Sequence, residues 1–139
     1  MRQCKSSILI VLLITILLVF GCDKHHAWGR IKIHHLPNNI EYIVGEKNSV
    51  DFSGMEISFY LLDGTLKEIR SIDDCICREY RSEIMQEDLF DEAGQLLTNQ
   101  LFIDASQVSY SNPGYYTIYI YYLGHNKPDD SFRVHVIDG

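Results

Sequence analysis

From Arg30 onward, apolar and polar residues alternate with a period of two over several short stretches. Arg30-Ile31-Lys32-Ile33-His34 has this period, so one face of an extended strand would enter a core and the other would meet water. Leu36-Pro37-Asn38-Asn39 interrupts it with turn-forming residues, and Glu41-Tyr42-Ile43-Val44 resumes it before Gly45. Met55 to Leu62 is β-branched and aromatic, with Ile57, Phe59 and Leu61 on one face. It runs into Asp63-Gly64, a hairpin signal, and then into a second strand from Thr65 to Ser71. Near the end, Asn112-Pro113-Gly114 marks a turn, Tyr115 to Tyr122 reads as a strand, and Phe132, Val134 and Val136 give one face of the last strand. These stretches show no sustained 3.6-residue period. The fold class expected is all-β, and short strands with frequent turns suggest a sandwich. Ile57, Phe59, Ile118, Ile120, Val134 and Val136 are the candidate core.

The first residues follow a different pattern. Met1 to Ser7 is short and basic through Arg2 and Lys5, and Ile8 to Phe20 is an apolar run of 13 broken only by Thr15. A spanning helix needs about 18 or more apolar residues, whereas a secretory signal needs an apolar core of about 7 to 15. The expectation is an exported chain with a cleaved leader. Val19-Phe20-Gly21-Cys22 resembles the lipobox of bacterial lipoproteins: an aliphatic residue, a variable one, a small one and the cysteine. That resemblance implies a signal peptide over 1–21, diacylglycerol and further acylation on Cys22, and a mature chain beginning there. The implied location is the cell envelope, lipid-anchored to the inner or outer membrane. An ordinary cleaved signal or an uncleaved anchor are the alternatives.

Loss of Arg2 and Lys5 with the leader takes the formal net charge from −7 to −9. Such acidity disfavours nucleic acid as a partner. The stretch 22–29 then reads as a linker, and the seven residues from Asp23 to Gly29 span at most ~24 Å. A domain over 30–139 would be held close to a bilayer.

A second resemblance rests on the order of motifs in that domain. Ile31-Lys32-Ile33, Leu36-Pro37, Glu41-Tyr42-Ile43-Val44-Gly45-Glu46, the Met55 to Tyr60 strand, Asp63-Gly64-Thr65, Pro113-Gly114-Tyr115-Tyr116-Thr117-Ile118 and Phe132-Arg133-Val134 resemble the group 3 bacterial immunoglobulin-like domain. The likeness covers residues 30–72 and 103–137. It implies an immunoglobulin-like sandwich used as a non-catalytic envelope module, without an active-site motif. Gly114-x-Tyr116 after a turn fits a tyrosine corner, and Ile118 stands where antibody domains place a disulfide cysteine.

The stretch of about 73–104 is longer than that family's usual link. It carries eight acids between Asp73 and Glu92 against Arg78 and Arg81, and it reads mainly as a solvated loop. Leu89 to Leu97 suggests an inserted hairpin turning at Glu92 to Gly94, with a short helix from Glu79 to Leu89 as the competitor.

Candidate chemistry is sparse. Cys75 and Cys77 are the cysteines left in the mature domain after Cys22, and export permits their oxidation. Extended residues two apart lie about 6.6 to 6.8 Å apart, at the limit for a disulfide. A local disulfide in a turn or bulge, ordinary thiols, and metal binding or an intermolecular bond all stay open. Among His25, His26, His34, His35, His125 and His135, only His34 or His35 with His135 could meet, if the terminal strands lie side by side. No metal or cofactor is expected, and no enzyme motif occurs. Tyr115, Thr117, Tyr119 and Tyr121 form a stripe opposite the core face of their strand. Tyr115, Tyr119 and Tyr121 are the candidate contact for an envelope or host protein or a polysaccharide, unless the inserted hairpin, through Phe90, Leu96 and Leu97, covers them. Non-catalytic binding, adhesion or envelope assembly is the expectation. A small metal or redox protein using Cys75 and Cys77 or the histidines is the rival, and a structural spacer is the third.

Overall fold

The computed structural model describes residues 29–139, in which the alternating stretches become two packed sheets. In chain order the strands are β1 (Arg30–His35), β2 (Glu41–Ile43), β3 (Glu56–Tyr60), β4 (Leu66–Ser71), β5 (Ile76–Glu79), β6 (Gln100–Asp104), β7 (Gly114–Tyr122) and β8 (Asp130–Ile137). One sheet has the order β1-β3-β4 and the other β2-β8-β7-β6-β5. The chain is an all-β sandwich of immunoglobulin-like character.

The period of two decides what lies between the sheets. Ile31, Ile57 and Phe59 from the smaller sheet join Ile118, Ile120, Val134 and Val136 from the larger one in a single buried cluster. Each such side chain contributes about 1.5–3 kcal/mol through removal from water. All six expected core residues are buried.

Local turn chemistry sets the connections. Gly64 has φ 87°, a conformation that favours glycine, and the Thr65 amide donates to Asp63 Oδ1 at 2.8 Å. The chain therefore folds β3 back onto β4 within one sheet. In an immunoglobulin constant domain the strand that pairs with the first one leads into the opposite sheet, whereas β3, which pairs with β1 here, leads into β4 of the same sheet, so the connectivity differs at that point. At the other turn, the Tyr116 hydroxyl donates to the carbonyl of Asn112 at 2.7 Å, the bond that a tyrosine corner makes.

Two carboxylates tie the sheets together at the edge of β1. Asp130 Oδ2 accepts from the Ile33 amide at 2.8 Å, and Asp129 Oδ2 accepts from the Ile31 amide at 3.4 Å. Asp129 Oδ1 also accepts from the Tyr122 amide at 3.0 Å and lies 2.9 Å from His125 Nδ1. Among the described residues no strand pairs with this edge of β1, and these acids take its amides instead.

The acidic stretch is more structured than a solvated loop. β5 pairs in parallel with β6, a 3-10 turn spans Gln86–Leu89, and Phe90 bridges Leu96 across a tight hairpin. The Asp91 amide donates to Gln95 O and the Gly94 amide to Asp91 O, so the hairpin turns at Glu92 to Gly94 as expected. The competing helix from Glu79 to Leu89 shrinks to that one 3-10 turn. β5 and β6 are the strands that the alternation did not announce.

Candidate functional site

The strongest candidate surface is the outer face of the five-stranded sheet, which bears the tyrosine stripe. Its register sets Tyr115 beside His135, Thr117 beside Arg133, Tyr119 beside Ser131 and Tyr121 beside Phe102. The face has two unlike halves.

Over β5 and β6 it is covered. Leu89, Phe102 and Tyr121 form a second buried cluster, flanked by Tyr80, Ile84, Phe90, Leu96 and Tyr119. Tyr121 is only 8% exposed, and Tyr80 stacks on it. Burial pushes the Tyr121 hydroxyl above its usual range, with Tyr80 adding to the effect. Tyr121 is therefore a packing residue, which corrects its placement among the contact candidates. The cover comes from Tyr80, Ile84 and the 3-10 turn as well as from Phe90 and Leu96. Gln100 is wholly buried beneath it; its Nε2 donates to Asp88 O at 2.7 Å, and its Oε1 has no partner among the described residues.

Toward β8 and β2 the face is open. Tyr115 is 64% exposed, yet its ring is not loose. His135 stacks on it with centroids 4.1 Å apart and planes 7° from parallel, and the Arg133 guanidinium carbon lies 5.3 Å from its centroid. Glu41 Oε1 reaches within 4.0 Å of His135 Nδ1. Aromatic stacking and a cation over a ring each restrict a side chain by a modest free energy, so both contacts favour this orientation of a ring that faces water. Tyr119, half-buried, sits at the border of the two halves. The stripe thus divides into a presented end at Tyr115 and a packed end at Tyr121.

Arg133 and His135 were missed from the sequence as members of this site. The apolar positions Phe132, Val134 and Val136 already imply that the residues between them face outward. Which tyrosine each meets depends on register, which alternation alone does not fix.

The histidines do not assemble. His34 lies 3.9 Å from Glu56, and His35 Nδ1 lies near Leu36 O and Gly54 O, both at the smaller sheet. His135 is on the larger sheet with Tyr115, so the envisaged pairing of His34 or His35 with His135 does not form. Among the described residues, no group of three or more His, Cys, Asp or Glu side chains is placed to hold a metal ion.

Cys75 and Cys77 are free thiols here, without the local disulfide considered above. Cys75 ends the 3-10 turn Ile72–Asp74 with φ −105° and ψ 149°, and Cys77 lies in β5, so extended backbone keeps the pair apart. Partial burial, aided by Cys77, pushes the Cys75 thiol up to about 11. Burial and then Asp73 push Cys77 upward as well. Neither environment favours a reactive thiolate.

Cys22, the leader, His25 and His26 lie outside the described residues. Among the described residues no helix is long and apolar enough to cross a membrane. No protein-family model, curated protein or solved structure matches this chain.

Proposed function

We propose that this chain is a bacterial envelope lipoprotein whose sandwich domain acts by binding. Cys22 carries the lipid, and the open half of the five-stranded sheet, centred on Tyr115, His135 and Arg133, makes the contact. One observation supports the contact above all: an aromatic ring 64% exposed yet in contact with both an imidazole and a guanidinium. A pre-ordered aromatic loses little conformational entropy on association, and tyrosine and arginine commonly anchor interfaces. The partner is an envelope or host protein or a polysaccharide, and the reading is non-catalytic.

A photo-crosslinking residue placed at Thr117, on the same face beside Arg133, should capture in cells one discrete partner that is lost when Tyr115 is changed to Ala. Undiminished capture in that variant would sink the proposed face. Mass spectrometry of the mature N-terminus tests the anchor separately, since an unmodified Cys22 would remove it.

A further inference from the structure

The outer face of the smaller sheet also departs from an evenly polar surface. Its register sets Arg30, Tyr60 and Leu66 in one row across β1, β3 and β4, and Lys32, Ser58 and Ile69 in the next. The alternate positions Ile31, Ile57 and Phe59 enter the core, so both rows point outward. Each row therefore starts on a cation at β1 and ends on an aliphatic side chain at β4. Leu66 and Ile69 are 48% and 43% exposed, and Leu62, in the turn after β3, is 56% exposed. Exposed aliphatic side chains gathered on one face mark a contact surface more often than the same side chains scattered singly.

Charge is distributed unevenly as well. The chain has a net charge of −7, yet bases lead on this face. Arg30 and Lys32 are exposed, Lys32 Nζ lies 5.9 Å from the Tyr60 ring centroid, and Lys127 shares a hollow with Arg30 and Leu62. The acids near them are bonded locally. Asp63 accepts from the Thr65 amide, Asp129 accepts amides from both sheets, and Glu56 lies 3.9 Å from His34. Glu68 turns toward the core, opposite Phe59, and pairs with Arg70 at 2.9 Å.

The place of this face in the chain narrows its occupant. Arg30 opens β1, and only the seven residues from Asp23 to Gly29, at most ~24 Å, separate it from Cys22. With acyl chains on Cys22, this corner of the sandwich is the part tethered at the bilayer surface. Apolar area and cations that meet anionic headgroups both strengthen an interfacial contact, and the face offers both. The tether raises the effective concentration of lipid at the face, so a contact too weak for a free domain is populated.

We propose that the outer face of the smaller sheet lies on the membrane that holds the anchor. Arg30, Lys32 and Lys127 meet anionic phospholipid headgroups, and Leu62, Leu66 and Ile69 enter the layer beneath them. The same headgroups repel the rest of the acidic surface, which selects this orientation. The outer faces of the two sheets point in opposite directions, so the Tyr115 face is turned away from the bilayer. This orientation rests on the lipid anchor of the proposed function, and not on the Tyr115 contact.

The test takes the full chain from the membranes of the cells that make it and places it in nanodiscs of phosphatidylethanolamine and phosphatidylglycerol, some headgroups carrying a gadolinium chelate. Flotation with vesicles of the same lipids, and the mass of the Cys22 peptide, first report the anchor. In nuclear magnetic resonance spectra the amide signals of Tyr60, Leu66 and Ile69 should then lose several-fold more intensity to gadolinium than those of Tyr115 and Arg133. That contrast should largely vanish in Arg30→Glu/Lys32→Glu and, separately, in Leu66→Ser/Ile69→Ser. Ile43→Ser/Ile76→Ser, which removes exposed aliphatic side chains from the other sheet, should keep it. A chain that does not float and has an unmodified Cys22 would overturn the anchor and this orientation together. In a chain that floats, equal losses on both faces, a contrast that survives both pairs of substitutions, or a second copy seated on Leu66 and Ile69 would overturn the orientation alone. If one variant fails to fold, the pattern of the parent chain and the other pair still decide.

Discussion

Tyr80 and Tyr121 lie face to face, with ring centroids 3.8 Å apart and planes within 10° of parallel. The first follows β5 and the second belongs to β7, so the pair closes over β6 and pins the inserted segment to the sheet.

Truncation should therefore separate the two ends of the tyrosine stripe. Tyr121→Ala removes a buried ring and should cost about 3 kcal/mol, while Tyr115→Ala, at an exposed ring, should cost under about 1 kcal/mol. Urea unfolding of both variants measures this. In a double-mutant cycle, Tyr80→Ala and Tyr121→Ala should couple by roughly 0.5–1.5 kcal/mol.

Asp129 has a side chain only 3% exposed and accepts amides from both sheets. Asp129→Asn replaces one acceptor oxygen with a donor that faces other donors. A loss of about 2 kcal/mol is expected from the resulting unsatisfied groups. Asp130→Asn, whose acid accepts from Ile33 in the smaller sheet and otherwise only from its own neighbour Ser131, should lose less, and a comparison of chemical denaturation midpoints is the check.

Alkaline pH should weaken the fold in two steps. Burial raises Cys75 from 9.0 to about 11 and Tyr122 from 10.0 to about 12, with Glu68 adding to the latter. Both groups are neutral when protonated, and the folded state holds its protons longer. Their stabilising contribution is complete below the unfolded values and is lost as pH rises from 9 through 11 for Cys75 and from 10 through 12 for Tyr122. Tyr122→Phe loses the bond to Thr98 O, costing about 1 kcal/mol at neutral pH, but should flatten the upper step of a stability–pH curve.

The two thiols should differ in reactivity. Cys77 is exposed and Cys75 half-buried. With maleimide at neutral pH, Cys77 should label first and Cys75 about tenfold more slowly, as mass spectrometry over time will show. Equal rates would mean that Cys75 is far more accessible than this packing allows.

Much of the sandwich was legible because its core strands have one wet face. Ile57, Phe59, Ile118, Ile120, Val134 and Val136 declare themselves by alternation, and Asp63-Gly64 fixes its hairpin through local backbone preference. β6 has no such signature. Leu101 and Ile103 enter the main core while Phe102 enters the second cluster, so both faces are buried and the period disappears. β5 is hidden for a different reason: among the described residues it pairs with one strand, a parallel one beyond the long acidic stretch, and four exposed residues carry no hydrophobic pattern. The candidate contact was half legible. The stripe could be read, and so could its cover by the inserted hairpin, which Phe90 and Leu96 supply over Tyr121; that the cover stops short of Tyr115 and also includes Tyr80 and Ile84 could not, because neither stands out in a run of charged residues.

The carboxylate bridge at β1 also bears on how the domain carries tension. Ile31 is held by Asp129 and Ile33 by Asp130, so β1 and the start of β8 run in the same direction, and β2 follows β8 in parallel. Arg30 and Ile137 therefore lie at opposite ends of the sandwich. A pull between them would slide terminal strands along their length, loading their hydrogen bonds together instead of peeling them one by one.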